Sequence, residues 1–129
     1  MSLLALSERP DIFKMAFCGA APTDWSLYDT AYTERYLDTP QANPMGYIQS
    51  SVLNRVDKFP NESHRLFIFH GLRDDNVYFE NTQKLIKELL VKQKPYDLQI
   101  YPGERHGLRE KHSFNHNLNY IVYYLEKYL

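Results

Sequence analysis

The chain has 129 residues, 43% of them hydrophobic and 24% charged, with fifteen Lys and Arg against sixteen Asp and Glu for a formal charge of −1. That length sustains one domain with a real core, and the balanced charge leaves no basic excess to neutralise phosphates, which argues against a nucleic-acid partner. No apolar stretch approaches the roughly 20 residues of a membrane helix, so no membrane segment is expected in this chain.

The single cysteine, Cys18, has no internal partner and sits in an apolar run, as a small buried side chain would. It fits a reducing setting such as the cytoplasm, although any signal or anchor would lie upstream. Eleven tyrosines are the oddest feature of the composition. Each joins apolar area to a hydroxyl that seeks a partner, so tyrosines suit pockets, interfaces and half-buried helix faces.

In chain order, Met1 to Leu6 is apolar, lacks a charged leader and gives way to Ser7-Glu8-Arg9-Pro10. It is too short for a signal peptide and reads as the last turns of a helix begun upstream. Lys14 to Ala20 is a strand candidate closed by Pro22, which cannot donate to a ladder. Trp25, Tyr28, Tyr32 and Tyr36 recur at helical spacings between Trp25 and Leu37, which puts them on one stripe. Two readings stay open for that stripe: packing on the core, or walling a pocket. Asp38 to Pro44 is a loop. Met45 to Phe59 sets Ile48, Val52, Leu53 and Val56 on one face of a short helix that Pro60 ends.

Arg65 to Phe69 reads as a strand buried on both faces. From Val77 to about Val91, Leu85, Ile86, Leu89 and Leu90 share a helix face, with Lys84, Lys87, Glu88 and Lys92 on a solvated one. Lys94-Pro95 separates that helix from a strand at Tyr96 to Tyr101. Ser113 to Leu129 follows as an amphipathic helix whose Phe114, Leu118, Ile121, Val122 and Leu125 are expected to pack on the sheet. Strands alternating with helices argue for an α/β fold with a parallel sheet, either a small unit or a portion of a larger one.

The chemistry gathers where two of these strands end. After Phe69 comes His70-Gly71-Leu72-Arg73-Asp74-Asp75-Asn76, and after Tyr101 comes Pro102-Gly103-Glu104-Arg105-His106-Gly107. In an open α/β sheet the reactive crevice lies outside the carboxyl ends of the strands. These loops can therefore bring Asp74 and His106 together, in the order of the last two members of an α/β-hydrolase triad. A blander reading also fits: Asp74 and Asp75 as helix-capping carboxylates, and His106 as an ordinary loop histidine.

Three motifs then coincide. The run from Trp25 through Tyr28, Asp29, Tyr32 and Glu34 to Tyr36, the segment His70-Gly71-x-x-Asp74-Asp75-Asn76-Val77-x-Phe79, and Tyr101-Pro102-x-x-x-His106-Gly107 closely resemble dipeptidyl peptidase IV-like enzymes of the prolyl oligopeptidase family. The resemblance spans essentially the whole chain and implies the C-terminal portion of an α/β-hydrolase fold. It implies release of dipeptides from peptide N-termini, with proline or alanine as the second residue, by a Ser-Asp-His triad. Asp74 would be the triad carboxylate and His106 the general base. Trp25, Tyr28, Tyr32 and Val77 would wall the pocket for the proline ring, and Asn76 would donate to a substrate carbonyl. This chemistry needs no metal or cofactor, and none is expected.

The nucleophile of the family sits in a Gly-x-Ser-x-Gly elbow. None of the seven serines here has glycines at both flanking positions. By resemblance Met1 to Leu6 matches the helix that follows the elbow, so residues 1–129 are expected to start about five residues after the serine and to be inactive alone. The rest of the hydrolase domain and a β-propeller that holds the substrate's amino terminus are the implied intramolecular partners, and a homodimer formed through this domain is the implied assembly. The alternative is a non-catalytic interaction module that keeps the hydrolase frame.

Overall fold

The computed structural model describes all of residues 1–129. Three parallel strands form one sheet in the order β1 (Ala16–Gly19), β2 (Leu66–Gly71), β3 (Asp97–Tyr101). Ala16 pairs with Leu66 and Phe67 with Asp97, and the register runs on to Gly71 opposite Tyr101. The helices are α1 (Ser2–Glu8), α2 (Thr30–Leu37), α3 (Pro44–Ser50), α4 (Glu80–Val91) and α5 (Lys111–Tyr128), with 3-10 turns at Trp25–Leu27 and Leu53–Lys58. None of them is long and apolar enough to cross a membrane.

Strand side chains alternate between two differently furnished layers. Ala16, Cys18, Leu66 and Ile68 point toward Leu3 and Leu6 of α1, Val56 of the second 3-10 turn, and Leu85 and Leu89 of α4, forming the aliphatic core. Each fully buried Leu or Ile there contributes about 1.5–3 kcal/mol. Phe17 and Phe67 point the other way and meet the rings of α5. The centroid of Tyr124 lies 5.4 Å from Phe67 and 5.9 Å from Phe17, and that of Tyr120 lies 5.2 Å from Phe67.

That aromatic layer corrects the expected face of the last helix. Ser113, Asn117 and Tyr124 are its buried residues, whereas Phe114, Leu118, Val122 and Leu125 are 37–54% exposed. The inward stripe is displaced by one residue from the aliphatic one, a rotation of about 100°. Polar anchoring accounts for it: the Tyr124 hydroxyl donates to Asp97 at the start of β3, and the Tyr101 hydroxyl lies 3.0 Å from His116 Nδ1 and 3.4 Å from Asn117 Oδ1.

Two other helices are divided. The aromatic run is broken at Tyr28-Asp29 because Asp24 caps the 3-10 turn through Ser26 N, and Asp29 separately caps α2 through Tyr32 N. Tyr32 and Tyr36 are exposed, so the stripe is not packed on the core. Met45 to Phe59 is broken at Ser51-Val52, where the Val52 amide leaves the helix to donate to Thr23 O at 2.9 Å. Ile48 is consequently exposed while Val52 and Val56 are buried.

Candidate active site

β2 runs two residues beyond the apolar stretch, so His70 and Gly71 belong to the strand, and α4 begins at Glu80 rather than Val77. The loop between them, Leu72 to Phe79, is stitched to the loop after β3 by backbone hydrogen bonds. Leu72 N donates to Tyr101 O at 3.1 Å and Arg73 N to Glu104 O at 2.9 Å. The approach is so close that a Cβ on Gly71 would stand 2.5 Å from Glu104 O and 2.6 Å from Arg105 O. Only glycine fits there.

This stitching brings Asp74 and His106 into contact. His106 Nδ1 lies 2.9 Å from Asp74 Oδ2. Asp74 Oδ1 accepts from the amides of Asn76 and Val77, both at 3.0 Å, and its side chain is wholly buried while that of His106 is 46% exposed. Burial pushes the Asp74 carboxyl up, but the hydrogen bond from His106 and the two amides outweigh it, and the group stays below its ordinary range. An anionic Oδ2 can only accept, so Nδ1 of His106 carries a proton, and in the neutral imidazole the lone pair is then on Nε2. That is the arrangement of a general base braced by a carboxylate.

The loop carrying His106 is closed from beneath by Glu104, which is buried and accepts from Arg109 N at 2.9 Å and Glu110 N at 3.2 Å. Its hydrogen bonds, that to Ser113 foremost, lower its pKa. Arg105 Nη1 meets Asp75 Oδ2 at 2.7 Å across the mouth of the two loops, with both side chains exposed.

His106 opens on a cavity of about 400 Å³ whose walls include Gly19, Ala20, Phe69 and Gly71. Gly19 is also a wall of a neighbouring groove of about 500 Å³ that holds Met1, Leu4, Trp25, Tyr32 and Val52. Gly19 is the one wall that the cavity beside the imidazole and the groove beside α1 and the aromatic segment have in common. Trp25 stacks on Tyr32 at 5.8 Å, and Tyr28 meets Tyr32 edge-on at 5.6 Å. The Tyr28 hydroxyl donates to Asn76 Oδ1 at 3.0 Å, which leaves the Asn76 amide nitrogen free to donate. Val77 lies apart from the rings: it is 3% exposed, lines neither cavity, and its carbonyl faces His70. Sequence reasoning gave His70, Thr82 and Glu104 no role at the site. A polar residue ending an apolar strand four positions before a carboxylate was the available signal for the first.

The sequence profile described as the prolyl oligopeptidase family matches residues 1–129. The chain belongs to that family. Among family members it is 46% identical over all 129 residues to dipeptidyl peptidase 8 of Mus musculus and of Homo sapiens, covering 14% of each. It is 40% identical over 117 residues to dipeptidyl aminopeptidase A of Saccharomyces cerevisiae, covering 90% of this chain and 12% of that one. The crystal structure of Porphyromonas gingivalis dipeptidyl peptidase 4 superposes with a TM-score of 0.91 at 31% identity, over 98% of this chain and 18% of that one. The chain therefore spans about one seventh of the curated relatives it matches, and its three-stranded sheet is a C-terminal portion of the family's α/β-hydrolase fold.

Proposed function

We propose that these residues are the acid–base half of a serine dipeptidyl peptidase. In this reading His106 is the general base, Asp74 sets its tautomer and stabilises the imidazolium, and a serine from outside residues 1–129 attacks the scissile carbonyl. The proton that His106 takes from the serine is returned to the leaving amine. The observation that carries the reading is the 2.9 Å contact between His106 Nδ1 and a buried carboxylate whose other oxygen is already filled by two amides. The shared Gly19 wall between the cavity beside His106 and the groove beside Met1 supports a nucleophile delivered just ahead of α1.

Trp25, Tyr28 and Tyr32 are the proposed walls for the second substrate residue, with Val77 as backing beneath the loop and Asn76 as donor to a substrate carbonyl. Flat aromatic faces suit a proline ring and also accept alanine. The remaining hydrolase strands and a β-propeller complete the enzyme in this reading, and two copies pair through the exposed face of α5.

The test joins these residues to their upstream segment and measures cleavage of Gly-Pro and Ala-Pro reporters. Cleavage is expected, and Asp74→Ala and His106→Ala should each lower kcat by about 10³-fold or more. Undiminished rates in both variants would overturn the assignment. An upstream segment without Gly-x-Ser-x-Gly would instead favour the non-catalytic module.

A further inference from the structure

His70 ends an apolar strand and is buried to 1% exposure, yet both ring nitrogens are engaged. Nδ1 is 2.7 Å from Thr82 Oγ1 on the first turns of α4. Nε2 is 2.9 Å from Val77 O and 3.1 Å from Asp74 Oδ2. We propose that His70 is a positioning residue for the acid–base pair: a neutral imidazole whose Nε2–H is aimed at Asp74 because the Thr82 hydroxyl occupies Nδ1. The inference rests on the reading of Asp74 and His106 as the paired carboxylate and base.

The tautomer follows from the partners. A carbonyl cannot donate, so the nitrogen facing Val77 O bears the hydrogen. The Thr82 hydroxyl makes its one hydrogen bond to the other nitrogen and donates into its lone pair. Turning the ring to the opposite tautomer would set a bare lone pair against both Val77 O and the Asp74 carboxylate, two repulsive contacts in a buried site.

Asp74 is thereby surrounded. Oδ1 takes two amide hydrogens, while Oδ2 takes that of His106 and shares that of His70 with Val77 O. Rotating the carboxylate would break several of these bonds at once, so it has one orientation. The second donor on Oδ2 also draws density from the atom that faces His106. That lowers its appetite for the proton, which stays on His106 Nδ1 and leaves Nε2 as the base. Filling volume would not require any of this: the ring also meets Phe79 edge-on at 5.3 Å, and a phenyl group would keep that contact.

The test is long-range ¹H–¹⁵N correlation spectroscopy of the labelled chain at slightly alkaline pH, which reads the tautomer of every imidazole. His70 is expected as the Nε2–H form and His106 as the Nδ1–H form with a slowly exchanging Nδ1 proton. Thr82→Val and His70→Phe should each speed exchange of that His106 proton by about tenfold, the factor of one ordinary hydrogen bond. Thr82→Ser, which keeps the hydroxyl, should restore the parent rate. A His70 Nδ1–H tautomer in the parent chain would overturn the proposal without any variant having to fold. So would unchanged His106 exchange in Thr82→Val and His70→Phe while Asp74→Asn abolishes the slow proton. If Asp74→Asn leaves His106 unaltered, the paired reading itself fails, and this inference with it.

Discussion

Asp74 and Glu104 are buried carboxylates whose hydrogen-bond donors hold their pKa values below the ordinary range against the cost of burial. The unfolded chain therefore binds protons at these sites more readily than the folded one. Their stabilisation is complete above the ordinary carboxylate range near about 4 and is lost as pH falls through and below it. Urea midpoints should accordingly fall between pH 6 and pH 3, and the fall should be shallower when Asp74→Asn and Glu104→Gln are combined. The Arg105–Asp75 ion pair calls for the opposite expectation, since both side chains are more than half exposed. Water screens it, and Arg105→Ala should change stability by less than about 1 kcal/mol in a thermal melt. His106 is held by the backbone stitching of its loop, not by the salt bridge that draws the eye.

Among the elements, α5 shows what the sequence disclosed and what it withheld. Its existence and length were legible from periodicity, as were the three strands and the break at Lys94-Pro95. Its orientation was not. Counting apolar residues other than tyrosine favoured Phe114, Leu118 and Val122, whereas Tyr120 and Tyr124 meet Phe17 and Phe67, and Asp97 anchors the Tyr124 hydroxyl. A tyrosine face paired with a phenylalanine face has no strong hydrophobic period of its own, so the facing could be read only once β1 and β2 were known to carry those phenylalanines. The aromatic run from Trp25 to Tyr36 is divided, against its single helical period, for a related reason: Asp24 and Asp29 each offered a cap that a periodicity argument passes over. Asp74 and His106 were legible as loop residues at the carboxyl ends of two strands, and the resemblance of three linked motifs separated them from the capping and loop-histidine readings. Tyr124→Ala should cost about 3–5 kcal/mol in urea unfolding. Leu118→Lys should alter stability by no more than about 0.5 kcal/mol.

At the scale of the molecule, the uncovered aliphatic row of α5 and the unpaired outer edges of β1 and β3 are surfaces that favour association. Sedimentation velocity of the chain should show self-association that weakens in Leu118→Lys combined with Val122→Lys. A uniformly monomeric parent would count against the proposed pairing. The stacking of Trp25 on Tyr32 has a use of its own, because Trp25 is the sole tryptophan among these residues. All indole emission from the chain originates in the groove beside α1, with eleven phenols, Tyr28 and Tyr32 in contact with the indole, available to feed it. A peptide bearing proline that settles against those rings should shift or quench the fluorescence. Ligand affinity could then be titrated without a label, and before any bond is cut.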